Sequence, residues 1–238
     1  MASSRLPGKP LADIHGKPMI VHVLDRAREA DIGPVAVACG EPAIVDAVRA
    51  FGGTAVLTDP SLPSGSDRVQ RALDELDPRR QHDVVVNLQG DLPTIEAAAV
   101  RALVTPLAYP SVAIATLVAP IGSEAEAQRS SVVKAACAFA PDSLVAYALY
   151  FSRMAVPWGE GPLWHHIGVY AYRRAALARF VTLPESPLER REGLEQLRAL
   201  EAGMRIACAR VEHGPFGVDT PGDLERARAI LAPTRERV

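Results

Sequence analysis

Six residues about a third of the way along the chain, Asp83-Val84-Val85-Val86-Asn87-Leu88, constrain the fold more than any other segment. Three consecutive β-branched side chains leave no polar face, which suits a strand covered on both sides. Helical spacing flanks it, over Ser66–Leu76 before and Ile95–Val104 after. The alternation extends towards the N-terminus. Pro18–Ala30 reads as a helix with Pro18 in its first turn, Val35–Cys39 as a strand, Pro42–Phe51 as a helix and Gly53–Thr58 as a strand. Strands and helices in turn predict a doubly wound, mostly parallel sheet.

Beyond residue 110 the pattern loosens. Ser111–Ala119, Val132–Ala138, Ala146–Phe151, His166–Tyr172 and Arg205–Val211 read as strands. Ser186-Pro187-Leu188-Glu189 is a capping box with Pro at the first helical position, predicting a helix to about Leu200. Asp223–Leu231 reads as a closing helix. The expectation is one α/β domain over 1–238, with a less regular insertion at about 120–185.

Composition removes several function classes. The 26 Lys and Arg against 28 Asp and Glu leave a net charge of -2, so no basic excess supports a nucleic-acid or membrane-surface partner. Aromatics at 5% give no stacking platform for single strands. No run reaches the roughly 18 apolar residues of a membrane span. The N-terminal residues lack the apolar core of a signal peptide. Cys39, Cys137 and Cys208 are scattered, odd in number and outside any CxxC pair, as in a reduced cytoplasmic protein. No GxGxxG follows a strand, which argues against a dinucleotide-dependent oxidoreductase.

Five stretches carry the chemistry. Ser3-Ser4-Arg5-Leu6-Pro7-Gly8-Lys9-Pro10 puts two cations, two hydroxyls and a flexible Gly in eight residues. It can wrap a polyphosphate, or be a solvated basic tail; it is not a Walker A loop. Asn87-Leu88-Gln89-Gly90-Asp91 ends the strongest strand, where open α/β sheets bind ligands. Asp91 there suits Mg²⁺, which uses one or two carboxylates plus phosphates, or an ordinary turn. In Gly217-Val218-Asp219-Thr220-Pro221-Gly222-Asp223, Thr220 can cap the last helix, freeing Asp219 as a metal ligand; the competing reading makes Asp219 the cap. In Ser64-Gly65-Ser66-Asp67-Arg68, Ser66 reads as a helix cap or as part of a turn beside a base. His165 and His166 face opposite sides of a strand and cannot share one ion. A polar wall for a sugar or carboxylate, with Glu195 and Gln196, fits better.

Taken together, SSRLPGKPLADIHGKPMI, SGSDR, NLQGD, YFSRMAVPW, HHIGVYAYR, SPLERREGLEQLRAL and GVDTPGDLERAR closely resemble the 3-deoxy-manno-octulosonate cytidylyltransferases over nearly the whole chain. The resemblance implies a nucleotide-diphospho-sugar transferase-like fold. It implies that CTP and 3-deoxy-manno-octulosonate (Kdo) give CMP-Kdo and pyrophosphate for lipopolysaccharide synthesis, with Mg²⁺ assisting direct attack of the sugar's C2 hydroxyl on the α-phosphorus. By the same resemblance Ser3, Arg5 and Lys9 bind the triphosphate, and Ser64, Gly65, Ser66 and Arg68 lie beside the cytosine and ribose. Asp91 and Asp219 hold magnesium. Gln89, Arg153, His166, Tyr170, Glu195 and Gln196 form the Kdo pocket, in which the fork of Arg153 suits a carboxylate. The family also implies a homodimer with the insertion at its interface.

The chain departs from that pattern at its start. The family opens with an apolar strand ending in Pro-Ala-Arg before the Ser-x-Arg-Leu-Pro-Gly-Lys loop, and this sequence begins at the loop. Loss of a central strand leaves two neighbours with unpaired edges. The expectation is a misplaced start, with about ten further residues upstream; the competing reading is an inactive truncated chain. Ala38-Cys39-Gly40 stands where the family has Ala-Thr-Asp, and Leu92 where Glu is common. The nearest functional rival is the same transfer to another acid sugar, 8-amino-Kdo or a sialic acid. YFSR, GVYAYR and LEQL argue against sialic acid.

Overall fold

The computed structural model describes residues 6–233. A 3-10 turn, Lys9–Leu11, opens it, followed by a minimal hairpin of β1 (Asp13–Ile14) and β2 (Lys17–Pro18). Next come α1 (Met19–Glu29), β3 (Ala36–Cys39), α2 (Pro42–Ala50), β4 (Thr54–Leu57), α3 (Gly65–Leu76), β5 (Val84–Asn87) and α4 (Ala97–Val104). The second half holds β6 (Ile114–Pro120), α5 (Glu124–Ala127), β7 (Lys134–Cys137), β8 (Val145–Ser152) and β9 (Trp164–Arg173). Then follow α6 (Arg174–Phe180), α7 (Pro187–Glu192), α8 (Gln196–Glu201), β10 (Ile206–Arg210) and α9 (Pro221–Ile230). No helix among the described residues is long and apolar enough to cross a membrane.

The chain divides into two compact units, where the sequence suggests one body with an insertion. The first takes the chain up to Ser64, Leu88–Val100 and the chain from Pro215 on; the second is Gly65–Asn87 with Arg101–Gly214.

In the first unit β3 and β4 pair in parallel. One face of α1 and α2 packs Ile20, Val21, Leu24, Ile44, Val45 and Val48 with Cys39 and Ala55. The periodic apolar stripe in both helices is what this packing needs. Pro18 is the N-cap of α1, one residue outside the expected first turn. A second cluster joins Ile14, Met19, Val218, Leu224 and Ala227. It seats α9 on the hairpin, where the Arg228 guanidinium donates to the Asp13 carbonyl at 2.6 and 2.9 Å.

The second unit is built on a six-stranded sheet of order β5-β9-β6-β10-β8-β7. This corrects the mostly parallel sheet. Only β6 and β10 pair in parallel; every other pairing is antiparallel. The reason is β9, which returns from the insertion and inserts antiparallel between β5 and β6, so those two run alike without touching. Among the described residues β3 pairs only with β4 and β5 only with β9, so each carries an unpaired edge.

Between β6 and β9 the register slips at Thr116/Leu117: Thr116 faces Tyr170 and Leu117 faces Ile167, leaving Gly168 and Val169 as a bulge. The expected single helix from Ser186 is also broken. The capping box is present, but α7 ends at Gly193, whose φ of 64° is left-handed. A residue without Cβ stops the helix there, and α8 restarts at Gln196.

Candidate active site

In the first unit the loop at residues 8–10 is set by Gly8. Its φ of 66° is accessible at little cost only without a side chain, and its carbonyl accepts from Leu11 N at 2.9 Å. That places Lys9 at the first position of the 3-10 turn. Its ammonium donates to Asp91 Oδ2 at 2.8 Å and to Asp219 Oδ1 at 3.0 Å. The two carboxylates sit 128 positions apart in sequence, yet one backbone bond ties their loops, with Val218 N donating to the Asp91 carbonyl at 2.9 Å. Thr220 is the cap of α9, with Asp223 completing the box, which settles the two readings of this turn against Asp219 as the cap. Burial pulls the Lys9 pKa down, but hydrogen bonds and charge attraction from Asp91 and Asp219 outweigh it, so the net shift is upward. Two hard-oxygen donors already gathered around one cation fit a Mg²⁺ site completed by phosphate oxygens. Gln89 lies half-buried just before Gly90. A Cβ on Gly90 would come within 2.9 Å of Ile20 Cδ1, so the glycine lets α1 approach this strand end.

Ser3 and Arg5 lie outside the described residues. Ser64 precedes α3, which starts at Gly65. Ser66 is therefore inside the helix and does not cap it. It is buried, with its hydroxyl 3.5 Å from both Tyr172 OH and Asn87 Nδ2. Arg68 is half-buried in the same first turn.

The polar wall of the second unit stands on one face of β9. Phe151, His166, Tyr170, Tyr172 and Phe180 form a ladder of tilted rings with centroids 4.7–5.9 Å apart. His166 is buried, and its pKa is pushed down to about 3 by burial and then by neighbouring His165; it is neutral at physiological pH. His165 turns the other way, 4.0 Å from Glu126. Burial also raises Tyr170 well above the ordinary phenol range. Gln196 Nε2 lies 3.5 Å from His166 Nδ1. Burial, with Glu189 and Asp67 close by, raises the Glu195 carboxyl despite the opposing pull of Arg198. Tyr170, Glu195 and Gln196 line one small cavity.

Arg153 is held rather than free. Nε donates to the Glu192 carbonyl at 2.6 Å, Nη1 to Ser130 O at 3.0 Å and Nη2 to Gly193 O at 3.3 Å. Of the five N–H donors of a guanidinium, these three bonds leave two.

Comparison with known proteins decides the family. Residues 1–206 match the cytidylyltransferase family. The chain belongs to the cytidylyltransferase family. It is 66% identical over 233 residues to a 3-deoxy-manno-octulosonate cytidylyltransferase of Rhodospirillum centenum, covering 98% of this chain and 91% of that one. It is 61% identical over 236 residues to the enzyme of the same name from Methylorubrum populi, covering 99% and 95%. A solved structure of CMP:2-keto-3-deoxy-manno-octonic acid synthetase complexed with CTP superposes with a TM-score of 0.87 at 42% identity. That match covers 97% of this chain and 94% of the other.

Three polar residues of this cytidylyltransferase escaped the sequence reading. Thr116 touches His166 Nε2 at 3.0 Å. Glu192 accepts from Ser152 Oγ and Arg153 N, both at 2.9 Å. Lys134 is wholly buried, its ammonium donating to the carbonyls of Arg129, at 3.1 Å, and Arg153, at 2.5 Å. The signal for two of them was there: Thr116 is the lone polar side chain of Ile-Ala-Thr-Leu-Val-Ala-Pro, and Lys134 the lone charge of Lys-Ala-Ala-Cys. A buried polar group in an apolar strand needs a partner.

Proposed function

We propose that this cytidylyltransferase activates Kdo: CTP and Kdo give CMP-Kdo and pyrophosphate. The C2 hydroxyl oxygen bonds to the α-phosphorus, the bond to the leaving pyrophosphate breaks, and the hydroxyl proton passes to solvent. The observation that carries the reading is the gathering of Asp91 and Asp219 around the Lys9 ammonium. That constellation suits a polyphosphate and its cation, and both carboxylates remain partly accessible.

Asp91 and Asp219 would hold Mg²⁺, which when bound neutralises phosphate charge and polarises the phosphorus under attack. Lys9, kept charged, neutralises the triphosphate, and Arg5 shares that task. Ser64, Gly65, Ser66 and Arg68 serve the nucleoside. Gln89, His166, Tyr170, Glu195 and Gln196 serve the sugar acid. Its carboxylate matches the two remaining N–H groups of Arg153, a planar fork that needs little reordering. Holding the hydroxyl in line with the leaving oxygen is the main contribution of such a wall.

The chain acts as a homodimer in this reading. Support comes from β8 and the loop after it, which expose Leu149, Met154 and Trp158, the last 99% accessible; large apolar side chains left in water along one segment suit an interface. Sedimentation as a monomer at micromolar concentration would contradict it.

The test is pyrophosphate release from CTP and Mg²⁺ with Kdo, 8-amino-Kdo or a sialic acid. Turnover with Kdo supports the reading. Turnover only with another acid sugar reassigns the substrate, and none from a folded chain overturns the activity.

A further inference from the structure

The Thr116 hydroxyl has one proton and three neighbours. The carbonyls of Val169 and Ile167 lie at 2.8 and 3.1 Å, and His166 Nε2 at 3.0 Å. Both carbonyls are exposed to Thr116 by the bulge at Gly168 and Val169. Carbonyl oxygens only accept. If the hydroxyl proton went to the imidazole, its lone pairs would face two carbonyl oxygens at hydrogen-bond distance with no proton between them. The proton therefore goes to Val169 O or Ile167 O, and Nε2–H of His166 donates to Thr116 Oγ1. In a neutral ring the other nitrogen, Nδ1, is then bare and can only accept. Gln196 must meet it with its amide NH₂, not its oxygen. Both Gln196 and His166 are buried, 4% and 7% exposed, so neither end of the amide is free to turn. Among the described residues Gln196 Oε1 has no hydrogen-bond partner.

We propose that Thr116 is a positioning residue: it fixes His166 as the Nε2–H tautomer, which orients Gln196 so that Oε1 offers an acceptor to a hydroxyl of the sugar acid. This rests on the Kdo-pocket reading of Gln196. It deepens that reading by assigning polarity. The substrate group met by Gln196 is a hydrogen-bond donor, and a carboxylate there is repelled.

The experiment uses the full chain with ¹⁵N-labelled histidine. Long-range ¹H–¹⁵N spectra distinguish protonated from bare ring nitrogens, and His166→Gln identifies the His166 resonances by their loss. The wild type is expected to show Nε2 protonated and Nδ1 bare; the opposite tautomer would overturn the inference, whatever the activity. In Thr116→Val the hydroxyl is gone, and the spectrum should shift towards Nδ1–H or a mixture. KM for Kdo should rise roughly 2- to 10-fold, the scale of one neutral hydrogen bond, with KM for CTP within about twofold. Thr116→Ser should restore tautomer and KM together. An unchanged tautomer in folded Thr116→Val would overturn the inference. Should that variant not fold, the wild-type spectrum and Thr116→Ser still decide the tautomer. If the wild type shows Nε2–H but makes no CMP-Kdo, the substrate reading falls and takes the recognition half of the inference with it.

Discussion

The Lys9 cluster and the His166 wall solve opposite problems. Around Lys9 the groups are charged and partly accessible: Asp91 and Asp219 keep 30% and 49% of their side-chain surface. Their partner is one ammonium on a flexible stem, which in the proposed reading gives way to a divalent ion. Around His166, by contrast, Thr116 and Gln196 are neutral, buried and held by hydrogen bonds whose directions are dictated by donor count. The first arrangement is exchangeable by design of its chemistry, and the second is fixed before any ligand arrives. Charge that must be handed over is kept near water; shape and polarity that must be read are kept away from it.

The harshest way to break this contrast is to remove the exchangeable cation. Chelating divalent metal should abolish pyrophosphate release yet leave the melting curve of the free protein in place. Asp91→Asn should lower kcat roughly 100- to 1,000-fold. Because its pairing with Lys9 is partly solvated, stability should change by no more than about 1 kcal/mol. A large loss of stability would mean the cluster is a structural staple after all.

Fixed charge in the second unit should behave in the reverse way. Glu189 is 4% exposed. It accepts Arg198 Nε at 2.8 Å and a second, shorter bond from Nη2. Glu189→Gln leaves the half-buried Arg198 guanidinium without its charged partner and should cost about 1.5–3 kcal/mol in urea unfolding. A cost below about 1 kcal/mol would show that water reaches the pair.

Asp77 sharpens the point through pH. The amide of Gln81 is the main cause holding its carboxyl well below the usual range; burial opposes, and His82 N and Arg174 add to the lowering. A group with a depressed folded pKa contributes fully above its unfolded value, about 3.9. That contribution fades as pH falls towards the folded value. Asp77→Asn should therefore flatten the stability–pH curve on the acid side, measured by thermal melting at pH 3 and pH 6. An identical slope in both proteins would contradict the assignment.

The smallest effect belongs to a helix end. Thr220→Ala removes the cap of α9 and should cost about 1 kcal/mol. Because α9 begins just after Asp219, KM for Mg²⁺ should rise as well; a stability loss with unchanged metal dependence would separate the cap from the site.

How much of this was legible in the sequence depends on range. Short-range chemistry read correctly where one reading stood: the strand at Val84–Asn87 and the capping box at Ser186 follow from neighbours within four residues, whereas the choice between Thr220 and Asp219 as the cap of α9 stayed open until the structure showed Thr220 there. Sheet direction did not, because alternation predicts crossovers and cannot show β9 returning between β5 and β6. The break at Gly193 was written in the glycine itself, but the helical stripe on both sides masked it. Lys9, Asp91 and Asp219 were each visible as polar residues at loop ends; their meeting depends on the Val218–Asp91 backbone bond, which no local pattern encodes. Thr116 was missed because a threonine in a strand is ordinary, and its partners arise only from a register slip.

That slip carries one more consequence, a matter of parity. Side chains on a strand alternate like odd and even numbers, and the bulge on β9 adds two residues, an even count. His166 and Tyr170 therefore stay on the same side of the sheet across it, and the ring ladder from Phe151 to Phe180 runs on unbroken. Deleting one residue at Gly168 or Val169 would turn an even insertion into an odd one. Everything on one side of the slip would then change face together, sending His166 outward or Tyr170 and Tyr172 with it. At this point in the chain, odd and even changes of length are not equivalent.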